Sequence, residues 1–420
     1  MVVTSTVVIA DDLTGAADSA AAFARQGLKT LVLWEPRALP DADVLVFTTE
    51  SRHQPKADAL CRVKDVIHRI AALSGIGDSI WIYKKIDSTL RGHPGPELAS
   101  VMDGLGIRRA LVAPAFPAQG RVTRGGRVYV HGVALADSSF GREVRTSSIV
   151  DCFAQESSGM RISSLPLTVA QAGPQAIADT LTEDADGIII ADAESEQDLD
   201  LLAEGAMLSD TRLLCGSAGL AGALMRVLAE RAQAEPRPDQ FVTRQWQGHH
   251  ALIVAASRHP QTARQVTTAE AAGVPVIRPG LAWFGESASS SSGRSLQGGG
   301  TGGETLVGQC IYRLASGPLI LTSEGLPDLP GQGEAIVARL AQLTHEILQH
   351  ASASGLVLTG GDAAMAVGRA LDAEALWLHG ELQPGIPWGT WVGGSADGMP
   401  VVTKAGGFGD DRAFVRAISD

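Results

Sequence analysis

Short apolar runs recur along the chain, each closed by polar or glycine residues and followed by a stretch with helical periodicity. In the first half they fall at residues 7–10, 30–33, 44–47, 80–83, 110–113, 188–191 and 212–215. Each is too short for a helix and apolar at nearly every position, the pattern of strands buried on both faces of a parallel sheet. Between them, residues 14–26 are alanine-rich and helical with Gly27 as a stop signal, and Leu60, Val63, Ile67, Ile70 and Leu73 mark one face of another helix. Residues 232–248 carry Pro236, Pro238 and little periodicity, and read as a linker. The alternation then restarts, with strands expected at 251–255, 274–277, 319–322, 356–359, 375–378 and 401–403 and helices at 334–348 and 363–371. The expected fold is α/β with two domains, 1–231 and 249–420, each a mostly parallel sheet flanked by helices.

Composition narrows the class. Charged residues are 19% and hydrophobic residues 45%, so the chain can build packed cores. The formal net charge of −12 disfavours nucleic acid and anionic membrane surfaces as partners. The four cysteines, Cys61, Cys152, Cys215 and Cys310, are far apart, with neither a disulfide framework nor a zinc-site spacing. The start of the chain reads as a strand rather than a signal peptide, and a cytoplasmic location is expected. Residues 287–303 are almost all Ser and Gly and read as a surface loop.

Chemistry concentrates where strands are expected to end. Val7-Val-Ile-Ala-Asp-Asp-Leu-Thr-Gly15 runs strand, polar turn, helix start, and ligands of open α/β sheets bind just beyond the carboxyl ends of strands. Asp11 and Asp12 there can hold a substrate hydroxyl or take its proton; capping the next helix is the competing role for Asp12 and Thr14. The Asp-x-Asp pair of a haloacid-dehalogenase-type phosphatase is broken by Leu13. Thr48-Thr-Glu-Ser-Arg-His53 offers Arg52 as a carboxylate ligand. Tyr83-Lys-Lys-Ile-Asp-Ser-Thr-Leu-Arg-Gly92 brings the cations Lys84, Lys85 and Arg91 around Asp87, Ser88 and Thr89, a set suited to a polyhydroxy acid. Residues 121–123 and 127–130 predict a hairpin turning at Gly125 and Gly126, structural or a homodimer contact, from which Gln119 and Arg121 could reach a substrate. In the second half, Leu356-Val-Leu-Thr-Gly-Gly-Asp-Ala363 and Lys404-Ala-Gly-Gly-Phe-Gly-Asp-Asp411 are glycine turns after strands, and Ser257 closes a third strand. Backbone N–H groups left open at such a helix start bind phosphate, so the three turns suggest one nucleotide pocket. Neither a P-loop nor a GxGxxG dinucleotide motif is present. Asp362 or Asp410 is available to contact Mg2+ through water.

Together these stretches resemble the four-carbon acid sugar kinase family. The matching pieces are Ala10-Asp-Asp-Leu-Thr-Gly-Ala16, Thr49-Glu-Ser-Arg52, Lys84-Lys-Ile-Asp-Ser-Thr-Leu-Arg-Gly92, Ala113-Pro-Ala-Phe-Pro117, Thr359-Gly-Gly-Asp362 and Lys404-Ala-Gly-Gly-Phe-Gly409, which run nearly end to end. The resemblance implies an N-terminal substrate domain, a C-terminal nucleotide-binding domain and a site in the cleft between them. It implies transfer of phosphate from ATP, with Mg2+, to the terminal hydroxyl of D-threonate, or otherwise of erythronate or 3-oxo-tetronate. Carried over, Asp11, Asp12, Arg52, Lys85, Ile86, Asp87, Ser88 and Arg91 belong to the sugar-acid site, with Asp12 as the catalytic residue. Ser257, Gly360, Gly361, Asp362, Ala363 and Gly407 belong to ATP. The chain departs from the family pattern twice. Ala256-Ser-Arg-His-Pro260 stands where members often have Gly-Ser-Cys-Ser, and Gly-Gly-Asp-Ala363 replaces Gly-Gly-Glu-Thr. A Mg2+-dependent sugar-phosphate phosphatase and a non-enzymatic sugar-acid sensor are the competing readings.

Overall fold

The structure, a computed structural model, describes residues 6–34, 41–72, 80–144, 146–154, 159–183, 186–231, 248–285, 305–327, 331–383 and 385–419. The chain divides into two compact units, between Arg237 and Pro238. The linker expected at 232–248 lies outside the described residues except for Gly248, which opens the short 3-10 turn Gly248–His250. The Ser/Gly stretch 287–303 also lies outside them.

Apolar runs become buried strands in the first unit. They are β1 (Thr6–Ala10), β2 (Thr30–Leu33), β3 (Val44–Thr48), β4 (Trp81–Lys85) and β5 (Arg109–Ala113), followed by β6 (Arg121–Arg124), β7 (Arg127–Val130), β8 (Val133–Ala134), β9 (Ile162–Leu165), β10 (Gly187–Ala191) and β11 (Leu213–Gly216). Among the described residues of this unit the large sheet runs β2-β3-β1-β4-β11-β5-β10-β9, parallel throughout. Every residue of β1, β3 and β4 is buried, because each of these strands is covered on both faces. The helix Leu13–Arg25 after β1 is so rich in alanine that it packs close, with ten of its residues buried. The helix Lys56–Ala71 buries Ala59, Val63, Val66, Ile67 and Ile70, while Leu60 of the expected face is only half-buried. The hairpin β6–β7 pairs Arg121 with Val130 and Arg124 with Arg127 and turns at Gly125 and Gly126, both at positive φ.

The second unit holds β12 (Ala251–Ala255), β13 (Val276–Ile277), β14 (Leu319–Thr322), β15 (Gly355–Thr359), β16 (Ala375–Gln383), β17 (Ile386–Val392) and β18 (Pro400–Lys404), in the order β13-β14-β12-β15-β18-β17-β16. Pairing is parallel from β13 to β18 and antiparallel between β18, β17 and β16. Its core gathers Ile253, Val266, Ile320, Trp388, Val402 and Phe414. Among the described residues no helix is long and apolar enough to cross a membrane.

The two strand orders share a feature that positions chemistry. In the first unit the chain leaves β1 toward β3 and β2, then returns to the other side of β1 as β4. In the second it leaves β12 toward β14 and β13, then returns on the other side as β15. Neighbouring connections that part in opposite directions open a crevice at the carboxyl ends of the two strands. Those ends are Ala10 and Lys85 in one unit, and Ala255 and Thr359 in the other.

Candidate functional site

At the crevice of the first unit the residues after β1, β3 and β4 meet. Asp12 is the N-cap of helix Leu13–Arg25, its Oδ1 accepting from Gly15 N at 2.9 Å. Its other oxygen, Oδ2, accepts from Arg52 Nη1 at 2.6 Å, so capping leaves half of the carboxylate for other work. Arg52 binds Asp11 bidentately, with Nε and Nη2 each donating at 2.8 Å. The backbone N–H groups of Ser51 and Arg52 donate to the Asp11 carbonyl, which fixes the loop. Burial pushes the Asp11 carboxyl up, but the charge and hydrogen bonds of Arg52, with Lys85 and Lys84, outweigh it and hold the group below the usual range. Arg52 is thus fully engaged by two carboxylates, and a substrate carboxylate would have to displace one of them to reach it.

Lys85 is 5% exposed, and its Nζ donates to the Ile86 carbonyl at 3.0 Å. A Cβ built on Gly15 would lie 2.6 Å from this Nζ and 2.5 Å from Asp12 Oδ1. Carboxylate and ammonium therefore converge over a glycine, where a side chain would fill the space between them. The next residues, Ile86, Asp87 and Ser88, are buried as well. Asp87 accepts from Arg91 Nε at 2.7 Å and from the Thr89 hydroxyl. Burial pushes the Asp87 carboxyl up, and Arg52, Arg91 and Thr89 together draw it far below the carboxylate range. Two non-glycine residues in these loops take left-handed backbone, Glu50 at φ 47° and Leu90 at φ 56°, a local strain typical of functional sites.

Lys84, grouped with the site cations by sequence, points elsewhere. Alternation along β4 sends it to the opposite face from Lys85, where Nζ pairs with Glu97 Oε2 at 2.8 Å with both side chains buried. Glu97 Oε1 accepts from Ser51 Oγ, which lies 2.8 Å from Thr49 Oγ1, and Thr49 Oγ1 donates to the Ala10 carbonyl. This buried chain ties the ends of β1, β3 and β4 to helix Pro94–Leu105. Sequence reading did not find Glu97, although the parity of β4 already separates the two lysines.

At the crevice of the second unit lies a cavity of about 260 Å3, lined among others by Ser257, Ser323, Gly360, Asp362 and Ala363. Gly360 has φ 98° and precedes helix Gly361–Ala370, whose start has no side-chain cap. The helix therefore presents its first N–H groups and positive dipole end to the cavity. A second cavity of about 210 Å3 shares Ser257, Arg258 and Ser323. Gly407 lines neither; a Cβ there would lie 3.1 Å from His259 Nε2. A Cβ on Gly406 would lie 2.0 Å from Ser257 Oγ, so the loop after β18 can rest on Ser257 only as glycine. Gln265 Nε2 holds that loop by donating to the carbonyls of Phe408, Gly409 and Asp410. His259 caps helix Pro260–Ala271, with its Nδ1 accepting from Gln261 N at 3.1 Å. Burial, Lys404 and Arg264 draw its pKa down, in keeping with an unprotonated Nδ1. Lys404 is 2% exposed, makes no ion pair with a described carboxylate, and is drawn down to about 7 by burial. Asp410 is taken by Arg416 and the Arg412 N–H. Among the described residues no three His, Cys, Asp or Glu side chains gather as a metal site.

Two doubly wound units, one with carboxylates and cations at its crevice and the other with an uncapped helix start over a cavity, define a two-domain α/β protein built for a polar small molecule and a phosphorylated one. Comparison with known proteins agrees with that class. Residues 6–224 match the Sugar-binding N-terminal domain and residues 252–414 the Nucleotide-binding C-terminal domain. The chain is 34% identical to a D-threonate kinase of Salmonella typhimurium, covering 98% of this chain and 97% of that protein. It is 30% identical to a D-erythronate kinase of Heliobacterium modesticaldum, covering 97% and 94%. A solved Haemophilus influenzae protein shares the fold at a TM-score of 0.73 and 19% identity, covering 98% and 99%. The chain belongs to the four-carbon acid sugar kinase family.

Proposed function

We propose that this protein transfers the γ-phosphoryl group of ATP to the 4-hydroxyl of a four-carbon sugar acid, D-threonate before erythronate or 3-oxo-tetronate. The observation that carries the reading is the Asp12 carboxylate, fixed by Arg52 and Gly15 N and facing Lys85, in a chain alike from end to end to a D-threonate kinase. Asp12 orients the attacking hydroxyl and accepts its proton. Asp87 is the second candidate; Arg91 and Thr89 occupy it and, with Arg52, stabilise its charge. Lys85, Ile86, Asp87, Ser88, Arg91 and Asp11 complete the sugar-acid site, with Arg52 holding the two aspartates in register.

ATP belongs to the second unit, with its phosphates at the N–H groups of Gly361, Asp362 and Ala363, close backbone approach at Gly360 and Gly407, and Ser257 beside them. Asp362 fits Mg2+ better than Asp410, since it lines the cavity while Asp410 is bound by Arg416. Held there beside the nucleotide, the ion would supply neutralisation of phosphate charge. The rate then comes from positioning and charge stabilisation, with little covalent work for the protein.

The test is ADP release from MgATP with D-threonate, L-threonate, D- and L-erythronate and both 3-oxo-tetronates, against a control lacking any acid. ADP formation that depends on D-threonate is expected. Folded protein that binds ATP and releases no ADP with any of these acids refutes the reading in favour of a sensor. Phosphate release from a sugar phosphate without ATP would favour a phosphatase.

A further inference from the structure

The cations of the first unit are unequally committed. Arg52 donates from Nε, Nη1 and Nη2 to Asp11 and Asp12. Arg91 spends Nε and Nη2 on Asp87 and Nη1 on Glu143. Lys84 is paired with Glu97. Arg121 differs from them. Its Nη1 donates to Ser88 Oγ, its guanidinium carbon sits 5.3 Å from the centre of the Phe140 ring, and it makes no ion pair with a described carboxylate. Asp87 and Asp18 act on it only through space, and burial draws its pKa down.

We propose that Arg121 anchors the carboxylate of the sugar acid, an inference that rests on the function proposed above. A half-buried guanidinium with a hydroxyl and an aromatic face for company has lost part of its water without gaining a carboxylate in direct contact. An arriving carboxylate supplies that contact. The ring takes the flat face of the group and Ser88 takes Nη1, which leaves the side-on fork of Nε and Nη2 for a bidentate carboxylate. No existing ion pair has to break, in contrast to Arg52.

The backbone that carries Arg121 is held rigidly. Phe116 N donates to the Arg121 carbonyl at 2.7 Å, and Arg121 N donates back to Phe116 O at 3.1 Å. The hairpin beyond it is pinned to the end of β10, where Thr123 N donates to the Ala193 carbonyl and Asp192 accepts from the N–H groups of Gly125 and Gly126 at 2.7 and 2.9 Å. The segment carrying Phe140 also supplies Glu143 to Arg91, so one stretch of chain packs against both arginines. The hairpin β6–β7 thus serves as a fixed arm that delivers one cation to Ser88.

The experiment measures steady-state kinetics and calorimetric binding for wild type, Arg121→Gln and Arg121→Lys, with D-threonate and with its neutral primary amide. Loss of a bidentate, charge-assisted contact should raise KM for the acid about 30- to 100-fold in the glutamine variant. The values of kcat and of KM for ATP should change little, binding of the amide should stay as in wild type, and lysine should recover part of the loss. A folded glutamine variant whose KM for the acid stays within threefold of wild type overturns the proposal. So does an equal loss on acid and amide, which would mark a structural role. If the glutamine variant does not fold, the lysine variant decides: an undiminished preference for acid over amide overturns the proposal. A wild-type protein that releases no ADP with any four-carbon acid fails one step earlier, at the proposed function, and takes this inference with it.

Discussion

Replacing Gly15 with alanine adds one methyl group to the first turn of helix Leu13–Arg25, at the point where Asp12 and Lys85 converge. The new Cβ would stand 2.5 Å from Asp12 Oδ1 and 2.6 Å from Lys85 Nζ, against the 3.4 Å at which ordinary contact begins. The two groups must therefore retreat by about 0.9 and 0.8 Å. Both atoms are the ends of side chains, so the backbone has no need to move. Alanine improves helix propensity by about 0.8 to 1 kcal/mol, while a weakened Asp12 cap costs about 1 kcal/mol, and the two nearly cancel. Misplacing reacting groups by nearly 1 Å costs on the order of 100-fold in rate. Gly15→Ala should thus melt close to wild type while kcat/KM for the acid in the ADP-release assay falls about 100-fold. Activity within threefold of wild type, or a variant that fails to fold, would refute the placement of Asp12 and Lys85 around this glycine.

Asp12→Asn keeps a good helix cap, so the fold should survive while kcat falls by about 100- to 10,000-fold with little change in KM for ATP; an unchanged kcat removes Asp12 from the chemistry. Lys404 gives a stability prediction with a definite sign. Its pKa is near 7 in the fold and 10.5 in the unfolded chain, so between those values only the unfolded chain holds the proton and stability rises with pH. Lys404→Met should abolish that rise and stabilise the nucleotide-free protein by roughly 2 to 4 kcal/mol at pH 7, read by denaturant titration. Parallel pH dependence in variant and wild type would show that Lys404 is not buried as a neutral amine.

The central parallel strands were legible because they are buried on both faces and so read as unbroken apolar runs. β12 and β14 fall where the pattern predicts them, residue for residue. Three strands escaped notice, the two-residue β8 among them. β9, Ile-Ser-Ser-Leu, is a half-polar edge strand, and β17 contains Pro387 and Gly389 among tryptophans, with no period of two. The antiparallel end of the second sheet went unread with β17. The strand ends that carry chemistry were also legible, since Asp, Arg and Lys after apolar runs are conspicuous. What stayed hidden was which charge meets which. Lys84 and Lys85 are neighbours in sequence with opposite fates, and the partners of Lys84 and Arg121, namely Glu97, Ser88 and Phe140, lie 13 to 33 residues away in other elements. Such pairings are set by tertiary packing, which composition and spacing do not encode.

The buried Lys84–Glu97 pair constrains how this sequence can change. Removing either partner alone strands a full charge in an interior site, at a cost of about 3 to 5 kcal/mol, a large share of a typical domain's stability. Replacing both together with apolar residues of similar volume is far milder. Yet the double change also takes the acceptor from Ser51, whose hydroxyl is linked through Thr49 to the end of β1. Drift at Lys84 therefore has to pass through a joint substitution of three or four positions drawn from separate stretches of the chain. Sequences derived from this one should keep the pair intact or lose the whole set at once, and a lone Lys84 or a lone Glu97 should be rare among them.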